Sequence, residues 1–397
     1  MSLDVEPGWL EQQASCIEAH AVAEFRAAGG KVVGYSCVST PRELLDAAGL
    51  LPYCIRAMGN NARELADARM SRFNCSYCRS CLQLGLDGHY DFLDGLVQTN
   101  GCDHLRGMFE NWHDSQPDPD WFFHYLPVPH LINPDTLAVF VEELGLLREA
   151  LRQQFRVQLS DDDLRCAMAR QTAIRGKLLG LRQLRERAAP TLTGSEALAL
   201  SLLETAWPPE PFEALLDRLL ATRGALPRGR RTGPLRSRVL LAGSATDELV
   251  LVLEIERLGA VVVADALCHG TRASWRIDPP PPEVTDPLAT LAHQYLHHLL
   301  CPRMFDDYPR RQRFITDAVQ RAAVDGVILL HNKFCDLHGV ENVRLRIDLE
   351  QRGIPVLVLE KEYGASADLG RIGTRVQAFL ERLDVDRPKD GKHAAPA

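Results

Sequence analysis

The chain has 397 residues, 46% of them hydrophobic, and a formal net charge of −8, which allows two or three domains with a substantial core and gives no electrostatic case for a nucleic-acid partner. The short run Arg228-Gly229-Arg230-Arg231 reads as a solvated linker, the start Met1-Ser2-Leu3-Asp4-Val5-Glu6 lacks a basic stretch followed by an apolar run, and no segment reaches the roughly 18 apolar residues a membrane helix needs. The expectation is a cytoplasmic protein without a membrane partner, whose 11 cysteines are thiols, metal ligands or buried small side chains rather than disulfides.

In chain order, a helix is predicted from Gln12 to Ala28, then a strand over Lys31–Tyr35. Pro41 to Ala48 reads as a helix with Pro in its first turn and Gly49 past its end. Strands follow at Leu50–Ile55, Phe92–Val97 and His124–Val128, with a helix from about Cys75 toward Leu86 between the first two. Helix Pro134–Phe155 closes this half. From Ser160 the character changes: Ser160 with Asp163 forms a capping box, and Leu164, Met168, Ile174, Leu178 and Leu181 recur at helical spacing. Helices near Glu196–Thr205 and Pro211–Thr222 lead into a Pro/Gly/Arg linker, Leu226–Pro234.

The second half restarts with strand Val239–Gly243, helix Asp247–Leu258 and strand Ala260–Ala264. After a Pro279–Pro282 loop come helices Pro287–Leu299 and Arg311–Val324, strand Gly326–Leu330, a helix ending before Gly353, strand Pro355–Glu360, helix Leu369–Leu383 and a charged tail. Alternating strands and helices predict an α/β fold of two parallel-sheet, flavodoxin- or Rossmann-like lobes joined by a helical segment. The expected boundaries are 1–159, 160–235, 236–385 and a tail 386–397.

The halves echo each other. Gly34-Tyr35-Ser36 is matched with Gly243-Ser244-Ala245, and Asp94-Gly95 running to Cys102-Asp103 is matched with Asp325-Gly326 running to Cys335-Asp336. Each of the latter is an apolar strand entering a Cys-Asp pair that opens a helix. Ligands of parallel α/β sheets gather beyond the carboxyl ends of the strands, so both cysteines face a site, and iron–sulfur coordination in the cleft between the lobes uses them best. Asp103 and Asp336 are expected to cap their helices and fix the cysteine's direction.

Cys75-Ser76-Tyr77-Cys78-Arg79-Ser80-Cys81 places three thiols in seven residues, a spacing that selects iron–sulfur centres or zinc. No second CxxC with zinc-ribbon spacing supports the zinc alternative. On a helix, steps of three drift by about 60°, so the three sulfurs diverge. Cys75, at the helix start where free N–H groups favour a thiolate, is the leading ligand and Cys78 and Cys81 are secondary. Cys268 and Cys301, near element ends, are intermediate candidates. Cys16, Cys37, Cys54 and Cys166 read as core filling, and His297, His298 and His331 as loop or surface residues. No phosphate-binding, dinucleotide, serine-hydrolase or zinc-protease motif competes.

With these motifs in place, the chain resembles the 2-hydroxyacyl-CoA dehydratase D-component family, which includes the iron–sulfur subunits of ATP-dependent benzoyl-CoA reductase. The resemblance rests on Pro41-Arg42-Glu43-Leu44-Leu45-Asp46-Ala47-Ala48-Gly49, Cys75-Ser76-Tyr77-Cys78-Arg79-Ser80, Cys102-Asp103-His104-Leu105-Arg106, Phe334-Cys335-Asp336, Gly353-Ile354-Pro355-Val356-Leu357 and Thr374-Arg375-Val376-Gln377-Ala378-Phe379. It implies a [4Fe-4S] cluster held by Cys75, Cys102 and Cys335, with one iron left open for substrate or water. It also implies a paralogous iron–sulfur partner subunit, an ATPase activator with its own cluster, reduced ferredoxin upstream and an acyl-CoA substrate. The Phe73-Asn74-Cys75-Ser76 context is most similar to benzoyl-CoA reductase, implying one-electron reduction of an aromatic or enoyl thioester through a ketyl or radical anion. A 2-hydroxyacyl-CoA dehydratase subunit is the alternative within the family, and an electron-relay subunit that does not itself bind substrate is the non-enzymatic one. The surplus Cys78, Cys81, Cys268 and Cys301 keep open a branch with a double-cubane [8Fe-9S] cluster that reduces small molecules without CoA.

Overall fold

Apolar strands alternating with helices resolve, in the computed structural model, into two four-stranded all-parallel sheets. The described residues are 6–224, 237–274, 279–298, 300–364 and 368–386. The first half comprises α1 (Trp9–Ala14), α2 (His20–Ala27), β1 (Val32–Tyr35), α3 (Arg42–Ala47), β2 (Leu51–Cys54), α4 (Glu64–Asp67), α5 (Ser76–Leu86), β3 (Gly95–Thr99), α6 (Asp103–His113), β4 (Phe122–Leu126) and α7 (Pro134–Phe155). The middle is helical: α8 (Asp161–Glu186), α9 (Gly194–Glu204) and α10 (Pro209–Gly224). The second half comprises β5 (Ser237–Gly243), α11 (Leu249–Arg257), β6 (Ala260–Ala266), α12 (Pro287–His298), α13 (Tyr308–Arg321), β7 (Gly326–Asn332), α14 (Asp336–Gln351), β8 (Val356–Lys361) and α15 (Leu369–Asp386). The linker Leu226–Pro234 with its arginine run, and the tail from 387 on, lie outside the described residues. No described helix is long and apolar enough to cross a membrane.

The strand orders are β2-β1-β3-β4 and β6-β5-β7-β8, the same permutation twice. Parallel pairing demands crossover helices, which cover the sheet faces, and the order reverses direction between β1 and β3 and again between β5 and β7. The register is anchored identically. The Asp94 carboxylate accepts the Val32 N–H at 2.9 Å while the Asp94 N–H donates to the Val32 carbonyl at 2.7 Å. Asp325 does the same with Arg238, at 2.7 and 2.8 Å. These anchors make Val32 equivalent to Arg238, so Gly34 matches Leu240 rather than Gly243: the glycine echo in the sequence is out of register by three positions. Gly243 has its own reason. At φ 110° its Cα lies so close to the Leu330 carbonyl that a Cβ would stand 2.1 Å from that oxygen, and this approach lets Ser244 N–H bond Leu330 O at 2.9 Å.

The helical middle ties the sheets together. α8 starts at the expected capping box, with Ser160 Oγ accepting from Asp163 N and Asp163 Oδ2 accepting from Ser160 N, and packs on both α3 and β6. The halves also exchange helices: α12 buries Leu291, Ala292 and Leu296 in the core beneath α7, and α1 buries Leu10 and Ala14 in the core of the second sheet. Asp247, at the entrance to α11, accepts the Ala57 and Met58 N–H groups at 2.7 and 3.0 Å, a direct bond between halves.

Several boundaries differ from expectation. The helix predicted over Gln12–Ala28 is two helices, because Ser15 Oγ bonds back to Glu11 O at 2.7 Å and Ala19 is extended (φ −66°, ψ 156°). β3 begins at Gly95, after Phe92 and Leu93 have buried their side chains, and β4 begins at Phe122, two residues before the prediction.

Candidate metal centre

Cys75, Cys102 and Cys335 occupy the same local position: each is the residue that precedes the first turn of a helix, α5, α6 and α14 respectively. Non-helical backbone there turns the side chain over the helix end, where first-turn N–H groups lack intrahelical acceptors and favour negative charge. The expectation that Asp103 and Asp336 cap the helices is therefore corrected. The cysteines hold the cap position, and both aspartates sit one residue inside with exposed side chains.

The three thiols come from three connections, after β2, after β3 and after β7, and meet at the wall of one open cavity of about 360 Å³. They also border a smaller, mostly apolar inner chamber of about 90 Å³, so they form the partition between the two spaces. Cys75 contacts the thiols of Cys335 and Cys78, and Cys78 contacts Cys102. Cys75 is held well below the usual thiol range, first by hydrogen bonds from Cys335 and Cys78 and, against burial, by the N–H groups of Cys78 and Tyr77. Cys102 is lowered by Cys78 first and by the Leu105 and His104 N–H groups, again against burial. Cys335 and Cys78 are raised as the protonated partners in these contacts. The set thus gives up its first protons readily and its last with difficulty, a property of the group rather than of one residue.

The other thiols divide clearly. Cys78, one turn into α5, lines the inner chamber, whereas Cys81 is carried round into the core with Leu82 and Tyr90. Cys268 and Cys301, from the connection between β6 and β7, also line that chamber. Cys37 lines it too; the reading of Cys37 as core filling missed that it follows β1 as Cys102 follows β3, on the two strands flanking the reversal point. That strand-tip position was the available signal. Cys54 is buried as expected, but Cys16 and Cys166 are exposed: one lies just past the end of α1, and the other lies on the outer face of α8. Among the described residues no group of three or more His, Cys, Asp or Glu side chains is placed to hold a single metal ion.

Polar groups hold the wall in place. Asn332 N–H bonds Ser244 Oγ at 3.1 Å and Asn332 Nδ2 bonds Ala245 O at 2.8 Å, fixing the chain before Cys335. Near Cys102, Asn100 Oδ1 accepts from Val128 N at 2.8 Å and from Arg303 at 3.0 Å, which sets its amide to face His130 Nε2 at 3.3 Å. The halves are clasped over the thiols by His104, between Asn74 (2.8 Å) and Asp336 (3.2 Å), and by the edge-on pair Phe73–Phe334 with ring centroids 5.5 Å apart.

Comparison with known proteins agrees with this architecture. Residues 37–383 match the family model described as 2-hydroxyglutaryl-CoA dehydratase, D-component. The chain is 26% identical to the candidate dehydratase subunit YjiM of Escherichia coli (strain K12), over 91% of this chain and 94% of that one. It is 25% identical to the beta subunit of (R)-phenyllactyl-CoA dehydratase of Clostridium sporogenes, over 89% and 92%. With a benzoyl-CoA reductase subunit of Thauera aromatica the identity is 26%, over 82% and 84%.

Proposed function

The chain belongs to the 2-hydroxyglutaryl-CoA dehydratase D-component family, and from that premise we propose that it is an iron–sulfur subunit of an ATP-dependent, low-potential enzyme that acts on a CoA thioester. The observation that carries the reading is the convergence of three helix-capping thiols, Cys75, Cys102 and Cys335, on the wall of one cavity. Three first turns supply N–H groups toward negative charge there, and Ser244, Asn332 and Asn100 hold the loops so that little reorganisation accompanies loading. When bound, a [4Fe-4S] cluster would supply single electrons at low potential, which no side chain in the cavity can do.

The outer cavity is at the small end of ligand pockets, so it suits the acyl or aryl end of a thioester, with the nucleotide part of CoA outside. Its polar wall, Arg106, His104, His130 and Asn100, offers donors to a thioester carbonyl and sites for proton delivery, while Tyr125 and Phe305 supply apolar surface. Both ring reduction of a benzoyl-CoA-like substrate and dehydration of a 2-hydroxyacyl-CoA use these elements, and the relatives include both activities by name. Ring reduction is the leading assignment because of the Phe73-Asn74-Cys75-Ser76 context, in which Phe73 packs edge-on against Phe334. As the relatives are themselves subunits, a partner subunit is expected here too, with an ATPase activator and reduced ferredoxin as electron source.

One observation favours a second reading. Both halves present several thiols to the same inner chamber, Cys37, Cys75, Cys78 and Cys102 from the first and Cys268, Cys301 and Cys335 from the second, more than one cubane needs. A double-cubane [8Fe-9S] centre would use this surplus. Anaerobic loading followed by iron and sulfide analysis separates the cases: about four irons per chain for one cubane, about eight for the double one. A CoA-thioester titration of the EPR signal then tests substrate contact; no response to benzoyl-CoA or to a 2-hydroxyacyl-CoA argues for electron relay or a non-CoA substrate.

A further inference from the structure

Most buried guanidinium groups among the described residues have a carboxylate in contact or nearby. Arg42, Arg175, Arg185 and Arg311 are buried and each meets a carboxylate directly: Glu204, Glu43, Asp265 and Glu341. Arg56 and Arg182 bond carbonyl and hydroxyl oxygens, with Asp247 and Asp265 acting on them from further off. Arg303, 1% exposed, spends its donors on Asn100 Oδ1 (3.0 Å) and the carbonyls of Val128 (2.6 Å) and Pro129 (3.1 Å), all neutral. The strongest negative partners within its reach are thiols and a phenol: Cys37, Cys301, Tyr125 and Cys102. Arg272 bonds the Cys268 sulfur and Leu300 O (2.9 Å); its partners are Cys268 and Cys301, and more weakly Glu341, which already holds Arg311 at 2.6 and 3.0 Å. An unpartnered Nε does not single these two out, since Arg175 and Arg185 share it; thiols as their foremost negative partners do.

A buried cation with no carboxylate in direct contact is unfavourable, so two of them beside the thiols suit a negative object there. Arg272 bonds the sulfur of Cys268, which lines the thiol-lined chamber, and Arg303 lines the outer cavity beside Cys75, Cys102 and Cys335. Resting on the iron–sulfur reading above, we propose that Arg272, bonded to a chamber thiol, and Arg303, lining the outer cavity, are charge-compensating positioning residues that set the reduction potential of the centre held by the thiols common to both spaces. Reduction adds negative charge, which a nearby cation stabilises, so their removal makes the potential more negative.

The test compares anaerobically loaded wild-type protein with Arg272→Met, Arg303→Met and the corresponding Lys variants in redox titrations followed by EPR. The expected result is a more negative midpoint in each Met variant and recovery toward wild type in each Lys variant. Unchanged midpoints in both Met variants at full iron content overturn the proposal and leave the iron–sulfur reading intact; failure of the wild-type chain to take up iron and sulfide overturns that reading instead. A second measurement needs no variant. In the full-length apo chain, the ratio of alkylation rates by anionic iodoacetate and neutral iodoacetamide is read at Cys268 and at the exposed Cys166 by mass spectrometry. A cationic wall makes the ratio several-fold higher at Cys268, and equal ratios overturn it.

Discussion

The two strand tips that carry Cys102 and Cys335 begin from the same anchor and end differently. Asp94 and Asp325 pin the starts of β3 and β7 with the same pair of bonds, yet β3 has 5 residues and β7 has 7. The step from strand end to cap is the same, Asn100-Gly101 in one loop and Lys333-Phe334 in the other, so the longer β7 carries Cys335 farther from its anchor than β3 carries Cys102. Gly101 leaves room for a neighbouring thiol: a Cβ there would stand 3.1 Å from the Cys37 sulfur. Phe334 instead occupies a left-handed backbone (φ 65°), which throws its ring outward onto Phe73. One tip therefore opens toward the chamber and the other packs an aromatic ring against the first half, although sheet topology and helix caps are the same. Matched scaffolds keep the cap at a fixed step from the strand end, whatever the strand's length, and differ in the residues just before it.

The comparison breaks most severely if the two caps are not equivalent in function. Cys102→Ala and Cys335→Ala are each expected to abolish most of the iron bound after anaerobic reconstitution, and Cys75→Ala likewise, because a three-thiolate site has no redundancy. Cys81→Ala, in the core, is expected to leave iron content unchanged while costing some stability. A large loss for Cys102 with none for Cys335 would show that only one lobe supplies the centre.

A second test addresses the helix that crosses between the halves. His298, at the end of α12, has an unpartnered buried Nε2 and its pKa is pushed down to about 3, by burial first and then by the Arg175 charge. The folded state keeps it neutral while the unfolded chain protonates near the ordinary value of about 6.5, so its contribution to stability is intact above that pH and is lost as pH falls from there toward 3. Denaturant titrations of the apo chain are expected to lose about 1.4 kcal/mol per pH unit from this group over that interval, and His298→Gln should flatten the slope by that amount. An unaltered slope would mean that α12 is not seated against the first half as described.

How much of this was legible follows from which patterns are local. Alternating apolar strands and helices, the Asp-Gly starts and the Cys-Asp ends are written within short windows, so two parallel-sheet lobes and the strand-tip thiols could be read directly. Helical phase also separated Cys75 from Cys81. Three things were hidden because they depend on contacts far apart in sequence. The exchange of α1 and α12 between cores needs both sheets in place. Cys37 looks like filler until the strand order shows β1 and β3 side by side. Arg272 and Arg303 look like ordinary arginines until thiols prove to be their foremost negative partners. The capping role went to the cysteines rather than to Asp103 and Asp336 because the turn into each helix is completed one residue earlier than the carboxylate pattern suggests.

The anchors themselves provide a smaller, symmetric test. Asp94→Ala and Asp325→Ala each remove a carboxylate from a backbone N–H at the head of a central strand, a charge-assisted bond worth about 1.5–3 kcal/mol, discounted because both side chains reach solvent. Equal destabilisation in the two variants, read from denaturant midpoints, would support equivalent registers; a twofold difference would place the lobes' anchors under different strain.

The finest distinction lies at Phe334. Replacing it by Gly relieves a left-handed conformation that costs a β-carbon-bearing residue about 1–2 kcal/mol, and forfeits an aromatic pair worth about 0.5–1.5 kcal/mol. The two nearly cancel, so Phe334→Gly should change stability by less than about 1 kcal/mol, whereas Gly101→Ala must push against the Cys37 sulfur and Leu105 and should be the more costly of the two. With stability unchanged, any acceleration of thiol alkylation at Cys335 in Phe334→Gly reports the loss of cover alone. A residue that accepts backbone strain for no net stability is held there by what it shields, and the absence of any change in Cys335 reactivity would show that Phe334 covers nothing.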